Sequence, residues 1–371
     1  MIRDSGKLDW VQALRGIAAL LVVLCHAREF LAGSVNYPLI ESVLLPGAMG
    51  VDLFFIISGF IMVYSTRKVT GTLGEVKDFA IKRFSRIWPT YAVATILWVF
   101  IADVGISYFA STDNWVVFLK SIFFIPVKDM APLYFAPIIP IGWTLNFEMY
   151  FYAVFGVSLL FKRFRLIAMI TWIGLTLVAL PMLTRVFSLS PFKYYYFTPN
   201  YLNLMANPII LEFVAGAVIG YLYLSDRIII RNKAIALNLL AISVGFVIWY
   251  NYSGPAYLHG ITNWGAPLAV AVLVLAIVSK TVHIKTPAVL AWLGKISFSL
   301  YLTHFLTRAA MDKTVAYLGF GQFMNTWGYV VISVLVCISI AAVSQYLLEQ
   351  KLSDAFKNLF ERQRSTAPSL A

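Results

Sequence analysis

Charged side chains are scarce in this sequence of 371 residues, in which Asp, Glu, Lys and Arg together make up only 12%. Soluble domains carry about 25% charged residues. The scarcity of charge, together with 60% hydrophobic residues, therefore excludes a soluble globular domain. Cysteine is also scarce: Cys25 and Cys337 lie far apart in apolar runs, which excludes a disulfide framework and a cysteine-rich metal site. The common nucleotide-binding, serine-hydrolase and zinc-protease motifs are missing as well, and we expect no metal.

Long apolar runs are what the sequence has in abundance. A run of about 20 apolar residues is long enough to cross a hydrocarbon core of ~30 Å. Ten such runs lie at 10–31, 47–65, 88–106, 141–161, 166–186, 207–224, 234–250, 264–280, 297–318 and 327–348. The sequence therefore predicts an all-α, polytopic membrane helical bundle with about ten transmembrane helices.

The basic residues predict the orientation of this bundle. In a soluble protein a net charge of +12 would suggest a nucleic-acid partner, whereas in a membrane protein it indicates basic cytoplasmic loops. If both termini are cytoplasmic, 21 of the 29 Lys and Arg residues lie on that side and 3 lie in outer loops. We therefore expect cytoplasmic termini and no nucleic-acid partner. We divide the chain into a membrane domain, 1–350, and a cytoplasmic basic tail, 351–371, whose Phe356, Leu359 and Phe360 would contact lipid.

Arg15 and His26 are ionisable residues of the first predicted span. Such groups cost several kcal/mol inside a membrane and indicate functional sites. Because they are eleven residues apart, they lie on one helix face, separated by about 16 Å along the axis. Each residue alone is explained by a snorkelling arginine or a structural histidine, but the pair on one face favours function.

Two arginines, Arg83 and Arg86, precede the third span on the predicted cytoplasmic side. Like charges at this helical spacing repel, and a bound anion would reverse that effect. The guanidinium fork suits phosphate oxygens. The alternative interpretation is topological charge or binding of lipid headgroups.

Asp52 and Glu148 are carboxylates that lie inside predicted spans. Asp52, near the outer end of the second span, is at a depth at which it could pair with His26 or Arg28. Glu148 shares a helix face with Thr144 and Tyr152 through the i, i+4, i+8 spacing. A buried carboxylate must be neutral or paired, so Glu148 could orient His26, contact a sugar hydroxyl or pair with Arg308.

Small residues predict close helix packing at two places. Ser58 and Gly59 lie near the middle of the second span, and Glu212-x-x-x-Gly216-x-x-x-Gly220 lies in the sixth. Such spacing allows helix backbones to approach closely. We interpret both first as packing faces.

The ninth span carries a polar stripe with helical spacing. Its members are Ser297, Tyr301, His304, Arg308 and Asp312. Such a face cannot contact lipid, so it lines a bundle interior or a water-filled passage.

From the residues alone, two functional classes stay open. An enzyme that moves a group from a cytoplasmic phosphorylated donor to an outer acceptor explains both the arginine pair and the His26 end. A proton-coupled transporter or a flippase for a polysaccharide intermediate also places His, Glu and Asp inside a membrane. A purely structural subunit is disfavoured because it gains nothing from burying ionisable groups.

The same residues resemble the acyltransferase 3 family of integral membrane O-acyltransferases, over Leu8 to about Leu348. The matching pieces occur in family order: Arg15 with His26, Gly50–Phe60, Arg83 with Arg86, Trp143–Tyr152 and Ser297–His304. Within the family, Gly50–Tyr64 and Gly142–Tyr152 are most similar to the ExoZ-type exopolysaccharide acetyltransferases.

This resemblance implies transfer of an acyl group, usually acetyl from acetyl-CoA, to a hydroxyl of an envelope glycan or its lipid-linked precursor. It also implies a location in the bacterial inner membrane and, as partners, a glycan acceptor, membrane lipids and other polysaccharide-assembly proteins. We expect the acceptor to contact loop 107–140, 187–206 or 251–263.

The resemblance also assigns expected roles to single residues. His26 would be the general base or a transient acyl carrier. Arg83 and Arg86 would hold the CoA phosphates. Arg15 would contact the donor or stabilise the thioester oxyanion, and Glu148 would orient His26 or the acceptor. The residues expected to line the substrate path are Asp52, Trp143, Asn146, Tyr301, His304 and Arg308.

Overall fold

The computed structural model describes residues 8–102, 105–127, 137–225, 227–253 and 258–358, and this part of the chain is helical without any β-strand. The α-helices are α1 (Asp9–Ala27), α2 (Tyr37–Leu44), α3 (Gly50–Ser65), α4 (Leu73–Ile101), α5 (Thr112–Ile122), α6 (Trp143–Ser158), α7 (Arg165–Leu183), α8 (Tyr201–Met205), α9 (Ile210–Leu224), α10 (Lys233–Ser253), α11 (Ala266–Val278), α12 (Ala288–Tyr317) and α13 (Trp327–Ser344). Short 3₁₀ segments are Arg28–Leu31, Leu45–Met49, Gly105–Ala110, Pro140–Gly142, Leu159–Phe164 and Gly321–Asn325, and π-helical segments are Ile261–Gly265 and Gln345–Leu352.

The predicted all-α membrane bundle is confirmed. Within the described residues, eight helical segments are long and apolar enough to cross a membrane. One of them, Pro140–Leu183, contains both α6 and α7, which are separated by a break at Lys162 (φ 52°, ψ −116°). The shorter apolar helix α9 completes the set, so all ten predicted runs correspond to helices.

Glycines bring the central helices into backbone contact. A Cβ atom on Gly294 of α12 would lie 2.0 Å from the carbonyl oxygen of Gln12 in α1. Likewise, a Cβ atom on Gly216 of α9 would lie 1.9 Å from the carbonyl oxygen of Ile56 in α3. These approaches confirm that the small residues of the sixth span form a packing face. They fix α1 and α3, which carry Arg15 and Asp52, against their neighbours.

Helix α4 begins with a capping box. Thr72 accepts a hydrogen bond from the backbone N–H of Glu75 (3.3 Å), and the Glu75 carboxylate accepts one from the backbone N–H of Thr72 (2.9 Å). This cap satisfies orphan donors of the first turn. The helix that carries Arg83 and Arg86 therefore has a fixed beginning.

The predicted outer loop 107–140 contains a helix that the sequence did not predict. Residues 128–136 lie outside the described part of the chain, but α5 packs along α4 through Phe118 and Ile122, which contact Ala92 and Val99. An eleven-residue helix is too short to give a membrane-span signal.

The C-terminal segment packs on α4 over its described residues. The ring of Phe356 stacks on Trp88 with centroids 5.1 Å apart and lies 6.2 Å from Phe84. Phe356 therefore contacts the protein but is only half-buried, and its contact with lipid stays a prediction. Leu359 and Phe360 lie outside the described residues. The proposed boundary at 350/351 falls within the π-helical segment Gln345–Leu352, and the division into domains stays a prediction.

Candidate active site

A cavity lies between α1, α3, α4, α6 and α12. Five of the predicted site residues line it together: Arg15, Arg83, Arg86, Glu148 and Tyr301. We call it the arginine-lined cavity. Arg15 and Tyr301 are 286 positions apart in the sequence, and the close packing of α1 on α12 brings them together.

Cations outnumber carboxylates on the walls of this cavity, which are lined by Arg15, Arg83 and Arg86 but by Glu148 alone among the acids. The Nε atom of Arg83 is buried without a hydrogen-bond partner in the described part of the chain. Arg86 lies 3.8 Å from the Glu349 carboxylate, with 37% of its own side chain exposed. Three guanidinium groups therefore face two carboxylates, Glu148 and Glu349, and the excess positive charge at this partly buried site favours binding of an anion.

Glu349 is a site residue that the sequence analysis missed. Its carboxylate contacts Arg86 and accepts a hydrogen bond from Ser299 (3.1 Å). In the sequence it begins the polar C-terminal end, where nothing in its local pattern indicates that the chain returns to α4.

Glu148 is held inside the arginine-lined cavity by hydroxyl groups. It accepts hydrogen bonds from Tyr152, one turn further along α6, and from Ser58 of α3 (3.1 Å). The predicted common face of Thr144, Glu148 and Tyr152 is confirmed, because all three line the cavity. The contacts predicted between Glu148 and His26 or Arg308 are not made, and Ser58 bonds to Glu148 rather than serving only as packing.

Tyr301 connects the cavity to a pair of histidines. Its hydroxyl lies 2.9 Å from that of Thr144 and donates a hydrogen bond to the carbonyl oxygen of Ile141 (3.1 Å). One turn along α12, the fully buried ring of His304 lies 6.0 Å from the Tyr301 ring and 5.5 Å from the His26 ring, centroid to centroid. The polar stripe of the ninth span therefore faces the bundle interior.

His26 lies beyond this stripe and not among the residues that line the arginine-lined cavity. Its Nδ1 atom is 3.4 Å from a carboxylate oxygen of Glu29, and the other oxygen of Glu29 accepts a hydrogen bond from Arg308 (3.1 Å). The ring also packs edge-on against Phe305, with centroids 4.7 Å apart. Glu29, three residues after His26, is thus the carboxylate that contacts it, and the sequence analysis did not single it out.

Asp52 lies outside the arginine-lined cavity, in a group formed with His259 and Gly260. Fully buried, it lies 2.7 Å from Nδ1 of His259 and accepts a hydrogen bond from the backbone N–H of Gly260 (2.9 Å). The predicted pairing of Asp52 with His26 or Arg28 is therefore wrong, and His259, to which the sequence assigned no role, is its partner. Trp143 packs on His259 with centroids 5.7 Å apart, whereas Asn146 is buried in α6 outside the cavity lining.

These three groups contain the residues expected to perform the chemistry. The arginine-lined cavity offers an anion site, and His26 offers an imidazole whose Nδ1 is oriented by a carboxylate, as a general base requires. Among the described residues no cluster of His, Cys, Asp and Glu with metal-binding geometry occurs. The arrangement suits transfer of a group from an anionic donor, with proton removal at His26.

Comparison with known proteins gives matches over most of the chain. A family profile described as an acyltransferase domain, of the acyltransferase 3 type, matches residues 8–345. The exopolysaccharide production protein ExoZ of Rhizobium meliloti (strain 1021) is 32% identical over 301 residues, which cover 79% of this chain and 86% of ExoZ. The acyltransferase MdmB of Streptomyces mycarofaciens is 23% identical over 383 aligned residues, 98% of this chain and 96% of MdmB.

A putative O-acetyltransferase of Staphylococcus aureus (strain COL) is 25% identical over 337 residues, which cover 81% of this chain. The match covers 51% of the staphylococcal protein, so this chain spans about half of that length. No solved structure matches the chain.

Proposed function

This chain belongs to the acyltransferase 3 family and is a multi-pass membrane O-acyltransferase, and we propose that it transfers an acetyl group from acetyl-CoA to a hydroxyl of an exopolysaccharide or its lipid-linked precursor. The proposed location is the bacterial inner membrane, with the donor approaching from the cytoplasm. The acceptor proposal is supported by the name of the relative ExoZ, an exopolysaccharide production protein.

The observation that carries the donor proposal is the arginine-lined cavity. CoA is a polyanion, and its phosphates match guanidinium forks in charge and geometry. Arg83 and Arg86 stand one turn apart on α4 and face the same cavity as Arg15 of α1. An acetyl donor without phosphate would leave the excess positive charge of this cavity unpaired, at a cost that burial makes larger.

The proposed reaction uses His26 at the acceptor hydroxyl. With Nδ1–H directed at the Glu29 carboxylate, Nε2 is the atom that would take the hydroxyl proton while the sugar oxygen attacks the thioester carbon. The C–S bond then breaks, and CoA leaves as a thiolate that takes up a proton. Arg15 lines the arginine-lined cavity, about 16 Å from His26 along α1, and is therefore the candidate for contacting the donor.

In this proposal the thioester reaches His26 by extending out of the cavity along α12. The residues between the cavity and His26 are Tyr301 and His304, at the successive centroid distances of 6.0 and 5.5 Å given above. The pantetheine arm of CoA is long enough to place the phosphates on the arginines and the thioester near His26. A transient acetyl group on His26 itself is the alternative route for the same transfer.

Binding of radiolabelled acetyl-CoA to detergent-purified protein tests the donor proposal. We expect Arg83→Ala/Arg86→Ala to raise the Kd by two orders of magnitude or more, because each charge-assisted hydrogen bond contributes about 1.5–3 kcal/mol. Dephospho-CoA, which lacks one phosphate, should compete less well with wild type than CoA does.

The matched control removes two other arginines. Arg227→Ala/Arg231→Ala changes two exposed residues of the loop before α10 and should leave the Kd unchanged. Folded wild type without saturable acetyl-CoA binding would contradict the donor proposal. Unchanged binding by the Arg83/Arg86 variant would contradict the role of these arginines.

A further inference from the structure

A second pocket lies outside the arginine-lined cavity, on the other side of the first turns of α6. It has room for about one water-sized group, such as a single hydroxyl, and its lining includes Trp143, Phe147, Pro191, Phe192, Ile209 and His259. We call it the outer pocket, because Pro191, Phe192 and His259 belong to the segments 187–206 and 251–263, which the sequence analysis assigns to the outer side. Two of the three loops expected to contact the acceptor therefore meet at one place.

The His259 ring is fixed in the wall of the outer pocket by a buried carboxylate. Its Nδ1 is 2.7 Å from Asp52, which is fully buried, while 18% of the His259 side chain stays exposed. The ring is also held edge-on by Trp143 and Trp264, at centroid distances of 5.7 and 5.3 Å. Because a carboxylate only accepts hydrogen bonds, Nδ1 carries the proton and Nε2 is left for a ligand. In the described part of the chain, Nε2 has no hydrogen-bond partner.

The backbone around His259 is shaped to bring the two loops together. Gly260 has φ +108°, and a Cβ atom on it would lie 3.0 Å from the ring of Pro191 in the other loop. The carbonyl oxygen of Pro191 accepts a hydrogen bond from Asn207 (2.9 Å). Only glycine combines this backbone conformation with this contact at low cost, so the loops are held at a defined distance on either side of the pocket.

The outer pocket and the arginine-lined cavity share one helix. In α6, Trp143 and Phe147 line the outer pocket, while Thr144 and Glu148 line the cavity. A ligand in the outer pocket thus contacts one face of α6, and the donor cavity lies against the neighbouring face of the same helix. Aromatic walls with one fixed polar atom are typical of sites that orient a ligand, and rings of this kind pack against the apolar faces of sugars.

We propose that the outer pocket is an acceptor subsite, in which Nε2 of His259, oriented by Asp52, accepts a hydrogen bond from a hydroxyl of a sugar residue of the glycan. This rests on the proposed function and adds to it the place where the acceptor is recognised. His259 is a binding residue in this scheme. The proton transfer of the reaction stays with His26.

Two substitutions of His259 separate recognition from structure. The amide nitrogen of Asn occupies the position of Nδ1, so His259→Asn keeps the bond to Asp52 and loses the Nε2 position. The amide of Gln occupies the position of Nε2, so His259→Gln has the opposite effect. If His259 only stabilises the fold through Asp52, the Asn variant behaves like wild type and the Gln variant does not. If Nε2 binds the acceptor, the order is reversed.

The measurement is transfer of radiolabelled acetyl to the polysaccharide fraction prepared from cells that lack this chain. We expect His259→Asn to raise the KM for this acceptor about tenfold, as for the loss of one hydrogen bond, with acetyl-CoA binding and acetyl-CoA hydrolysis unchanged. His259→Gln should retain more of the acceptor affinity. The control His283→Asn changes an exposed loop histidine and should match wild type.

The outcomes distinguish this proposal from the one on which it rests. An acceptor KM of wild-type value in His259→Asn, with transfer intact, overturns the acceptor subsite and leaves the acetyltransferase proposal standing. Wild-type protein that neither binds acetyl-CoA nor transfers acetyl overturns both. Equal loss of acetyl-CoA binding and of transfer in both His259→Asn and His259→Gln means that substitution at this position disturbs the fold, and it also overturns the subsite.

Discussion

Two histidines of this chain each contact a carboxylate, and the two pairs differ in distance, burial and support. His26 lies 3.4 Å from Glu29, and 28% and 47% of the two side chains are exposed. His259 lies 2.7 Å from Asp52, and the exposed fractions are 18% and 0%. The side chain of Arg308 holds Glu29, whereas a backbone N–H group holds Asp52.

This difference indicates different tasks for the two imidazoles. Charge interactions weaken with exposure to water, so the His26 ring is held loosely by a carboxylate that is itself balanced by a cation. Such a ring can exchange a proton and turn toward a substrate. The His259 ring is fixed by a carboxylate without contact to water, which favours recognition in one orientation. We therefore expect catalysis to depend on His26 and acceptor binding on His259.

Among the substitutions that test this difference between the two histidines, we expect His26→Ala to have the largest effect on activity. Loss of a general base lowers kcat about 10²–10⁴-fold, and here the Kd for acetyl-CoA should be unchanged because His26 does not line the arginine-lined cavity. Initial rates of acetyl transfer and binding of labelled acetyl-CoA measure the two quantities. His283→Ala is the control. A kcat close to wild type would remove His26 from the mechanism and leave His259 as the imidazole to test.

A smaller effect is expected from Glu29→Gln, which keeps the shape of the side chain and removes its charge. We expect kcat to fall about tenfold, because the imidazolium formed during proton transfer loses about 1.4 kcal/mol of stabilisation. The Kd for acetyl-CoA and the acceptor KM should not change. A purely structural role would instead affect all three quantities.

Two further variants complete the test of Glu29. Glu29→Asp should restore part of the lost rate, since it returns the negative charge. Asp113→Asn removes the charge of another acid at an exposed position near the start of α5 and should leave kcat unchanged. If Glu29→Gln retained the full rate, the contact between Glu29 and His26 would have no catalytic role.

The sequence predicted the elements of the fold because hydrophobic runs and helical spacing are local properties. The ten runs correspond to helices, and Thr144, Glu148 and Tyr152 share the face that their spacing predicts. Helix α5 was missed because eleven residues with several polar side chains give no membrane signal.

The partners of the site residues were harder to predict because periodicity assigns a residue to a face and not to the helix opposite. Asp52 and His259 are 207 positions apart, and a turn at Gly260 brings them together. Glu349 contacts Arg86 from the far end of the chain. Glu29 was the exception, since its i+3 spacing from His26 was available in the sequence as a signal.

The smallest effect is expected from Gly260→Ala, which disturbs the support of His259 and leaves its side chain in place. The added Cβ atom would lie 3.0 Å from Pro191 at φ +108°, so the loop must shift by a few tenths of an ångström, and we expect the acceptor KM to rise about threefold.

Gly319→Ala is the matched control, because it imposes a Cβ at φ +78° with no other atom within 4 Å. Both variants should lower the Tm, since a left-handed backbone costs about 1–2 kcal/mol for a residue with a side chain. Only Gly260→Ala should change the acceptor KM. Equal acceptor KM values in the two variants would mean that the position of His259 does not determine acceptor binding. The His259–Asp52 pair would then differ from the His26–Glu29 pair only in contributing to the stability of the fold.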